Sequence, residues 1–392
     1  MSIKRSLARL AQTTPRQLDV ASVRGALPGE PRETDHGELH LIDDYLEPHH
    51  HHGRSPIAKA LKVSTRRLAQ LALDPTLESV DLQKALFFDT ETTGLSGGTG
   101  TVPFLIGIAW FEDESLRIQQ LFLPEMGREA PMLGWLAQRV RESSCLISFN
   151  GKAFDWPLLR TRFVLNRVRA PELPPHLDLL HCARRVLKPR LKSVRLVELE
   201  RRVLGMYRED DVSGALIPQL YFDYLDGGDV SPIAKVIEHN ANDLIALAAL
   251  LAELVGHFDE VHGEDDPRDH LAYAKLAERT GDRERARSFA SAAALGGGES
   301  ACTVEACLLS ARVARRSGNV DDEERALLAA LAAADDERLG AAVQLALAKL
   351  YEHRRKDLDR ALQHAAGTAL AEGEEAAERR LARLERRRSR SP

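Results

Sequence analysis

Ala85-Leu86-Phe87-Phe88-Asp89-Thr90-Glu91-Thr92-Thr93-Gly94 is an apolar run that ends in two carboxylates, and the glycine-rich turn Gly97-Gly98-Thr99-Gly100 follows it. Strand alternation puts every second residue on one face, so Asp89 and Glu91 project together from the strand end. A carboxylate in that place is costly unless it is paired, hydrogen-bonded or metal-bound; the plain alternative is a solvated strand end with a turn-forming Asp. Two further strand-like runs, Phe104 to Phe111 and Leu116 to Leu123, flank the acidic turn Glu112-Asp113-Glu114, and the three runs read as a β-meander.

Downstream the pattern changes to alternation of strand and helix. A helical period at 130–142 precedes the strand Cys145 to Phe149, and a second at 154–165 follows it. A short strand, His176 to Leu180, then precedes helical segments near 192–204 and 232–255. A meander followed by such alternation predicts an α/β fold, a mixed sheet flanked by helices. Upstream, 56–84 reads as two or three short amphipathic helices broken at Asp74-Pro75. Residues 1–55, with Pro15, Pro28, Pro31, Pro48 and the run His49 to His52, read as an irregular segment with a solvated histidine loop.

The acidic stretch Gly256 to Arg268 breaks the period and marks a domain boundary. Beyond it alanine dominates, proline is absent until the last residue, and helical hairpins recur with turns at Gly281, Gly318 and Lys356, spaced 37 and 38 residues apart. That period fits tetratricopeptide-like helix pairs, which bury their apolar faces by stacking; an irregular helical bundle is the alternative. The expected division is an irregular segment at 1–55, an α/β domain at 56–256 and an all-α repeat domain at 268–388 with a basic tail.

Composition sets limits. At 392 residues the chain has room for two or three domains of about 150 residues. With 44% apolar and 29% charged residues it is neither disordered nor a stapled mini-protein. The net charge of −5 names no partner by itself. Four cysteines without a C-x-x-C pair point to a reducing compartment, and the N-terminus lacks the apolar core of a signal peptide. The longest apolar run, Leu244 to Ala252, falls short of the roughly 20 residues that span a bilayer, so the expectation is a cytoplasmic protein with no membrane partner.

Two other acidic motifs accompany Asp89 and Glu91. Asn150-Gly151-Lys152-Ala153-Phe154-Asp155 follows a strand at the start of a helix, where Asp155 can also serve as a plain helix N-terminal carboxylate. His239-Asn240-Ala241-Asn242-Asp243 lies in an apolar helical pattern, and residues four apart lie about 40° apart in projection, so His239 and Asp243 point the same way. D-x-E, N-x-x-x-F-D and H-x-x-x-D in this order resemble the DEDD exonucleases of the ribonuclease-H-like (DnaQ-like) superfamily. More closely, FFDTETTGLSGGTGT, ISFNGKAFDWPLL, REDDVSGALIPQLY (208–221) and EHNANDLIAL resemble the bacterial YprB-like branch, over about 55–255.

The resemblance implies that Asp89, Glu91, Asp155 and Asp243 hold two divalent cations, Mg²⁺ or Mn²⁺, and oxygen-only ligands agree with hard cations. It implies a 3′ to 5′ exonuclease in which two ions about 4 Å apart serve an in-line hydrolysis, with His239 orienting or deprotonating the water as a neutral imidazole. His239 precedes Asp243 by four residues, the spacing of the tyrosine subclass, whereas the histidine subclass uses five. Thr93 and Leu95 match positions that meet the terminal base, Asn150 one that supports the site by hydrogen bonding, and Lys152 is placed for phosphate. Between 152 and 195 eleven Lys and Arg face three acidic residues, a charge excess suited to a polyanion. Arg184, Arg185, Lys188, Arg190 and Lys192 are its densest part. Arg379 to Arg390, with seven arginines and one glutamate, reads as a nucleic-acid arm or a frayed terminus. The expected partner is the single-stranded 3′ end of DNA or RNA, with a protein partner for the helical repeats. The rivals are a nuclease fold that binds without cutting, a scaffold acting through its repeats, and a structure-specific endonuclease.

Overall fold

The computed structural model describes residues 27–94 and 100–390. Leu95 and Gly97-Gly98-Thr99 lie outside the described residues. By its internal contacts the chain divides into two units, one running to Arg184 and resuming at Ser193–Asp259, the other comprising Arg185–Lys192 and everything from Glu260.

The first unit is built on a mixed sheet. Its strands are β1 (Glu30–Thr34), β2 (Gly37–Leu46), β5 (Ala85–Thr92), β6 (Pro103–Glu112), β7 (Ser115–Phe122), β8 (Cys145–Ser148) and β9 (His176–Asp178), while β3 (His51–His52) and β4 (Ser55–Pro56) form a separate small hairpin. The order across the seven-stranded sheet is β1, β2, β7, β6, β5, β8, β9. β5, β6 and β7 form the expected antiparallel meander, and β8 and β9 add parallel to β5. The helices of this unit are α1 (Thr65–Ala72), α2 (Ala130–Glu142), α3 (Asp155–Leu165), α4 (Leu179–Leu187), α5 (Leu196–Leu199), α6 (Ile217–Leu225) and α7 (Ser231–Asp259), with α4 running across the boundary between the units.

The N-terminal segment differs from the irregular one expected. Residues 30–46 form a hairpin that extends the sheet beyond β7, burying Leu39, Leu41, Ile42 and Leu46. The cause is tertiary: β2 pairs with β7, residues 115–122, so its partner is absent from its own neighbourhood in sequence. The histidine run also departs from a solvated loop, since His52 is 2% exposed.

The core follows from the alternation in β5. Leu86 and Phe88 face one side, where Phe88 meets Trp156 edge-on, with ring centroids 6.2 Å apart. Phe104 stacks on Tyr221 at 4.0 Å, and the Tyr221 hydroxyl donates to the Leu123 carbonyl at 2.8 Å, which satisfies the polar tip inside an apolar layer. α7 is apolar nearly all round because it is a core helix: Leu244, Leu247, Leu250 and Leu251 are all at most 1% exposed. By length and composition it would span a bilayer, but 67% of its most apolar stretch is buried within the protein.

The second unit continues with α8 (Pro267–Arg279), α9 (Arg283–Leu295), α10 (Ser300–Arg316), α11 (Val320–Ala333), α12 (Glu337–Leu350), α13 (Leu358–Ala365), α14 (Ala369–Glu372) and α15 (Glu374–Arg388). The three turns read from the sequence have left-handed backbone at Gly281, Gly318 and Lys356, with φ of 79°, 78° and 56°. Each is followed by a capping side chain: Asp282 accepts from the Arg285 N–H, Asn319 from Asp322 and Asp357 from Arg360. A positive-φ stop followed at once by an N-cap is what turns one helix back into the next. The basic tail is not a frayed end, because residues 374–388 are helical and Arg383 and Arg387 pair with Glu352 at 2.6 and 2.8 Å.

Candidate metal centre

Asp89 and Glu91 share a face of β5, as alternation requires. Opposite Asp89 in β6 is Gly107, and opposite Gly107 in β7 is Gln120. The bare backbone at Gly107 leaves room for Asn240 of α7; a Cβ there would lie 2.1 Å from Asn240 Oδ1. Asn240, wholly buried, donates to Asp89 Oδ2 at 2.9 Å and accepts from Gln120 Nε2 at 2.9 Å. The first carboxylate is thus held by a side chain that is itself held. On the other face of β5, the Thr90 hydroxyl donates to Asp155 Oδ1.

Asp155 opens α3 after a tight loop. Asp178, 3% exposed, accepts from the backbone N–H groups of Asn150 and Lys152 at 2.8 and 3.2 Å and of Leu180 at 3.1 Å. Asn150 takes a left-handed φ of 70°, and a Cβ on Gly151 would lie 2.4 Å from Ser148 Oγ, so this loop tolerates only glycine at its second position. Asn150 engages the loop through its backbone, rather than through the side-chain support expected of it.

α7 brings in the remaining pair. His239 Nε2 lies 3.8 Å from Glu91 Oε1 and 3.7 Å from Asp243 Oδ2. Glu91, His239 and Asp243 each offer a ligand atom, all within 4.8 Å of one another. Two residues to which the sequence reading gave no role complete the group. His239 Nδ1 donates to Asp211 Oδ1 at 2.7 Å, and Arg208 Nη2 donates to Asp243 Oδ1 at 2.5 Å and to Glu200 Oε1 at 2.9 Å. Glu200 also accepts from His52 at 2.7 Å, which explains the burial of that histidine.

The charges are crowded. Burial, then the charges of Asp243, Glu91 and Asp155, push the Asp89 carboxyl well above the ordinary range. Burial pushes Glu91 up to about 8 against the opposing pull of His239, with the charges of Asp243, Asp155 and Asp211 adding to the rise. Burial raises Asp155 to about 6 against the hydrogen bond from Thr90. For His239, burial acts downward, but the hydrogen bond to Asp211 and the charges of Asp243, Glu91 and Asp211 prevail and hold it at about 9. The surrounding carboxylates thus favour the protonated imidazole, and divalent cations that neutralise them would shift the ring back toward the neutral base expected. Carboxylates that resist ionising side by side are a donor set that wants added positive charge. Oxygen donors on two strand residues, a helix start and a buried helix fit hard divalent cations.

The other expected contacts are scattered. The Thr93 hydroxyl accepts from the Val102 N–H at 3.0 Å and braces the turn after β5. Leu95 lies outside the described residues. Lys152 and Arg184 are exposed in the first unit, whereas Arg185, Lys188, Arg190 and Lys192 belong to the second. Arg190 is not open for phosphate, because it pairs with Asp269 at 2.7 Å, and Lys188 donates to the Lys192 carbonyl at 2.7 Å. Arg162, counted in the basic excess, is buried against Glu129. Exposure decides whether a cation can meet a polyanion, and sequence charge counts paired and exposed arginines alike.

A mixed sheet that gathers carboxylates at a strand end, at a helix start and on a buried helix defines a nuclease-type hydrolase. Residues 86–255 match the family described as the RNase_H superfamily. The chain is 32% identical over 328 residues, 80% of its length and 76% of the relative's, to "Uncharacterized protein YprB" of Bacillus subtilis strain 168. The chain belongs to the RNase_H superfamily, whose nucleases use divalent metals on nucleic acid.

Proposed function

We propose that the protein is a DEDD-type 3′ to 5′ exonuclease that hydrolyses phosphodiester bonds at single-stranded ends of DNA or RNA. The observation that carries this reading is the convergence of Glu91, His239 and Asp243 within 4.8 Å, beside Asp89 and Asp155. Asp89, Glu91, Asp155 and Asp243 would hold two divalent cations, Mg²⁺ or Mn²⁺. When bound, such ions activate a water and stabilise the leaving 3′ oxygen. The chain's own residues do the rest. Asn240 and Thr90 hold Asp89 and Asp155 in place, and His239 Nε2 faces the carboxylates from α7, where the attacking water's proton is to be taken.

The catalytic domain in this proposal is the unit built on the sheet, and the helical unit is a tetratricopeptide-like module for a protein partner. The left-handed turns at Gly281, Gly318 and Lys356, each followed by a cap, support the repeat reading. A cytoplasmic location agrees with four free cysteines, all buried.

The test is degradation of matched 3′-labelled and 5′-labelled single strands, DNA and RNA, by wild type and Asp89→Ala with Mg²⁺, Mn²⁺ or EDTA. Stepwise loss from the 3′ end, abolished by EDTA and reduced at least about 10³-fold by the substitution, is expected. Cleavage of circular strands would replace the exonuclease by an endonuclease. Binding without cleavage under either metal would turn the protein into a nucleic-acid-binding module.

A further inference from the structure

The stretch between Gly205 and Leu216 has no regular structure apart from turns, yet it carries two charged side chains into the carboxylate cluster. Arg208, with its side chain 5% exposed, reaches Asp243 Oδ1 at 2.5 Å, Asp211 Oδ2 at 3.4 Å and the backbone carbonyl of His239 at 3.5 Å. It is held from behind by Glu200, 1% exposed, which His52 also grips. Asp211 takes the other side of the same helix turn and accepts from His239 Nδ1 at 2.7 Å. A carboxylate can only accept, so Nδ1 carries the proton of this bond. The nitrogen left to face Glu91 and Asp243 is Nε2, at 3.8 and 3.7 Å.

We propose that Asp211, braced by Arg208, is a positioning residue that fixes the ring of His239 with Nδ1 outward and Nε2 toward the reacting centre. The inference rests on the nuclease reading. It accounts for a histidine working at a four-residue spacing from Asp243: the helix alone sets only the direction of Cβ, and a partner from outside the helix sets the ring. A histidine with no such partner can flip its ring or exchange its tautomer, and then offers a proton where an acceptor is needed.

The experiment uses the full chain, ¹⁵N-labelled, as wild type, Asp211→Ala and Asp211→Asn, with His239→Gln to assign the signal. In wild type the Nδ1 proton of His239 is expected far downfield as a hydrogen-bonded ring N–H. It is expected to be lost in Asp211→Ala and kept in Asp211→Asn, whose amide oxygen still accepts. With strand degradation as the second readout, Asp211→Ala is expected to lower kcat about 10- to 100-fold, as losing the orienting partner of a site residue does. KM should stay within about twofold, and Asp211→Asn should recover most of kcat. A downfield proton that persists in Asp211→Ala, or kcat unchanged in that variant, overturns the proposal. If wild type cleaves nothing, the nuclease reading falls, while the proton signal still decides whether Asp211 sets the ring.

Discussion

Gly107 is bare because Asn240 occupies the space a side chain would need. The absent Cβ at this position has two consequences, since Asn240 both packs on the sheet and donates to Asp89. Gly107→Ala is therefore expected to push Asn240 out of its bonds with Gln120 and Asp89. Overpacking of this kind costs about 1–3 kcal/mol, read as a lower midpoint in urea. Activity should fall more than stability explains, because the freed Asp89 loses the neutral donor that holds its Oδ2. A variant with wild-type midpoint and wild-type kcat would show that α7 can move aside. At this scale the sequence was legible where the chemistry is local: Asp89 and Glu91 by strand alternation, His239 and Asp243 by helix spacing. It was not legible for Asn240, Thr90, Arg208 or Asp211. Nothing local distinguishes Asn240 from Asn242, and Asp211 lies 28 residues from the histidine it meets.

Elements were read well where the period is set by burial on one side, as in the meander, α2 and the helical hairpins. They were missed where a distant partner decides, as in β1 and β2, whose pairing with residues 115–122 no local pattern announces. The C-terminal basic helix is a third case, since arginines that look free in sequence converge on one buried acid. Glu352, 1% exposed, meets Arg383 at 2.6 Å, Arg387 at 2.8 Å and Arg380 at 3.5 Å, which fastens α15 to the turn after α12. Removing the acid costs about 1–3 kcal/mol, because Arg383 and Arg387 lose this partner while half exposed and Arg380 keeps Glu372 at 2.7 Å. Glu352→Ala is expected to abolish amide-exchange protection across 374–388 well before the helices at 267–316 lose theirs. Equal loss across both regions would show that α15 is not a separately fastened element.

The whole molecule is less simply divided than the sequence, because the helical unit takes in Arg185–Lys192 from the middle of the chain. The composition shift after residue 256 marks where the main segment begins, but it carries no sign of an insert some seventy residues earlier. Within that unit the insert is tied by Arg190, which donates to Asp269 at 2.7 Å, and Asp269 is 7% exposed with its Oδ1 left without a partner. Burial, foremost, with the charges of Asp266 and Asp265, raises Asp269 from 3.8 to about 6 although Arg190 pulls the other way. A carboxyl whose pKa is higher folded than unfolded binds its proton more tightly in the folded state. Its contribution is full below pH 3.8 and is lost as pH rises through about 6. Over that window the unfolding free energy of wild type should fall relative to Asp269→Asn by about 3 kcal/mol, the equivalent of the shift. Arg190→Ala should deepen the fall, since the ionised carboxylate then has no cation beside it. Urea titrations between pH 4 and 7, followed by amide exchange in residues 267–279, measure this unit alone. A pH-independent difference between wild type and Asp269→Asn would mean that Asp269 stays ionised throughout, and that the insert is held by its apolar contacts instead.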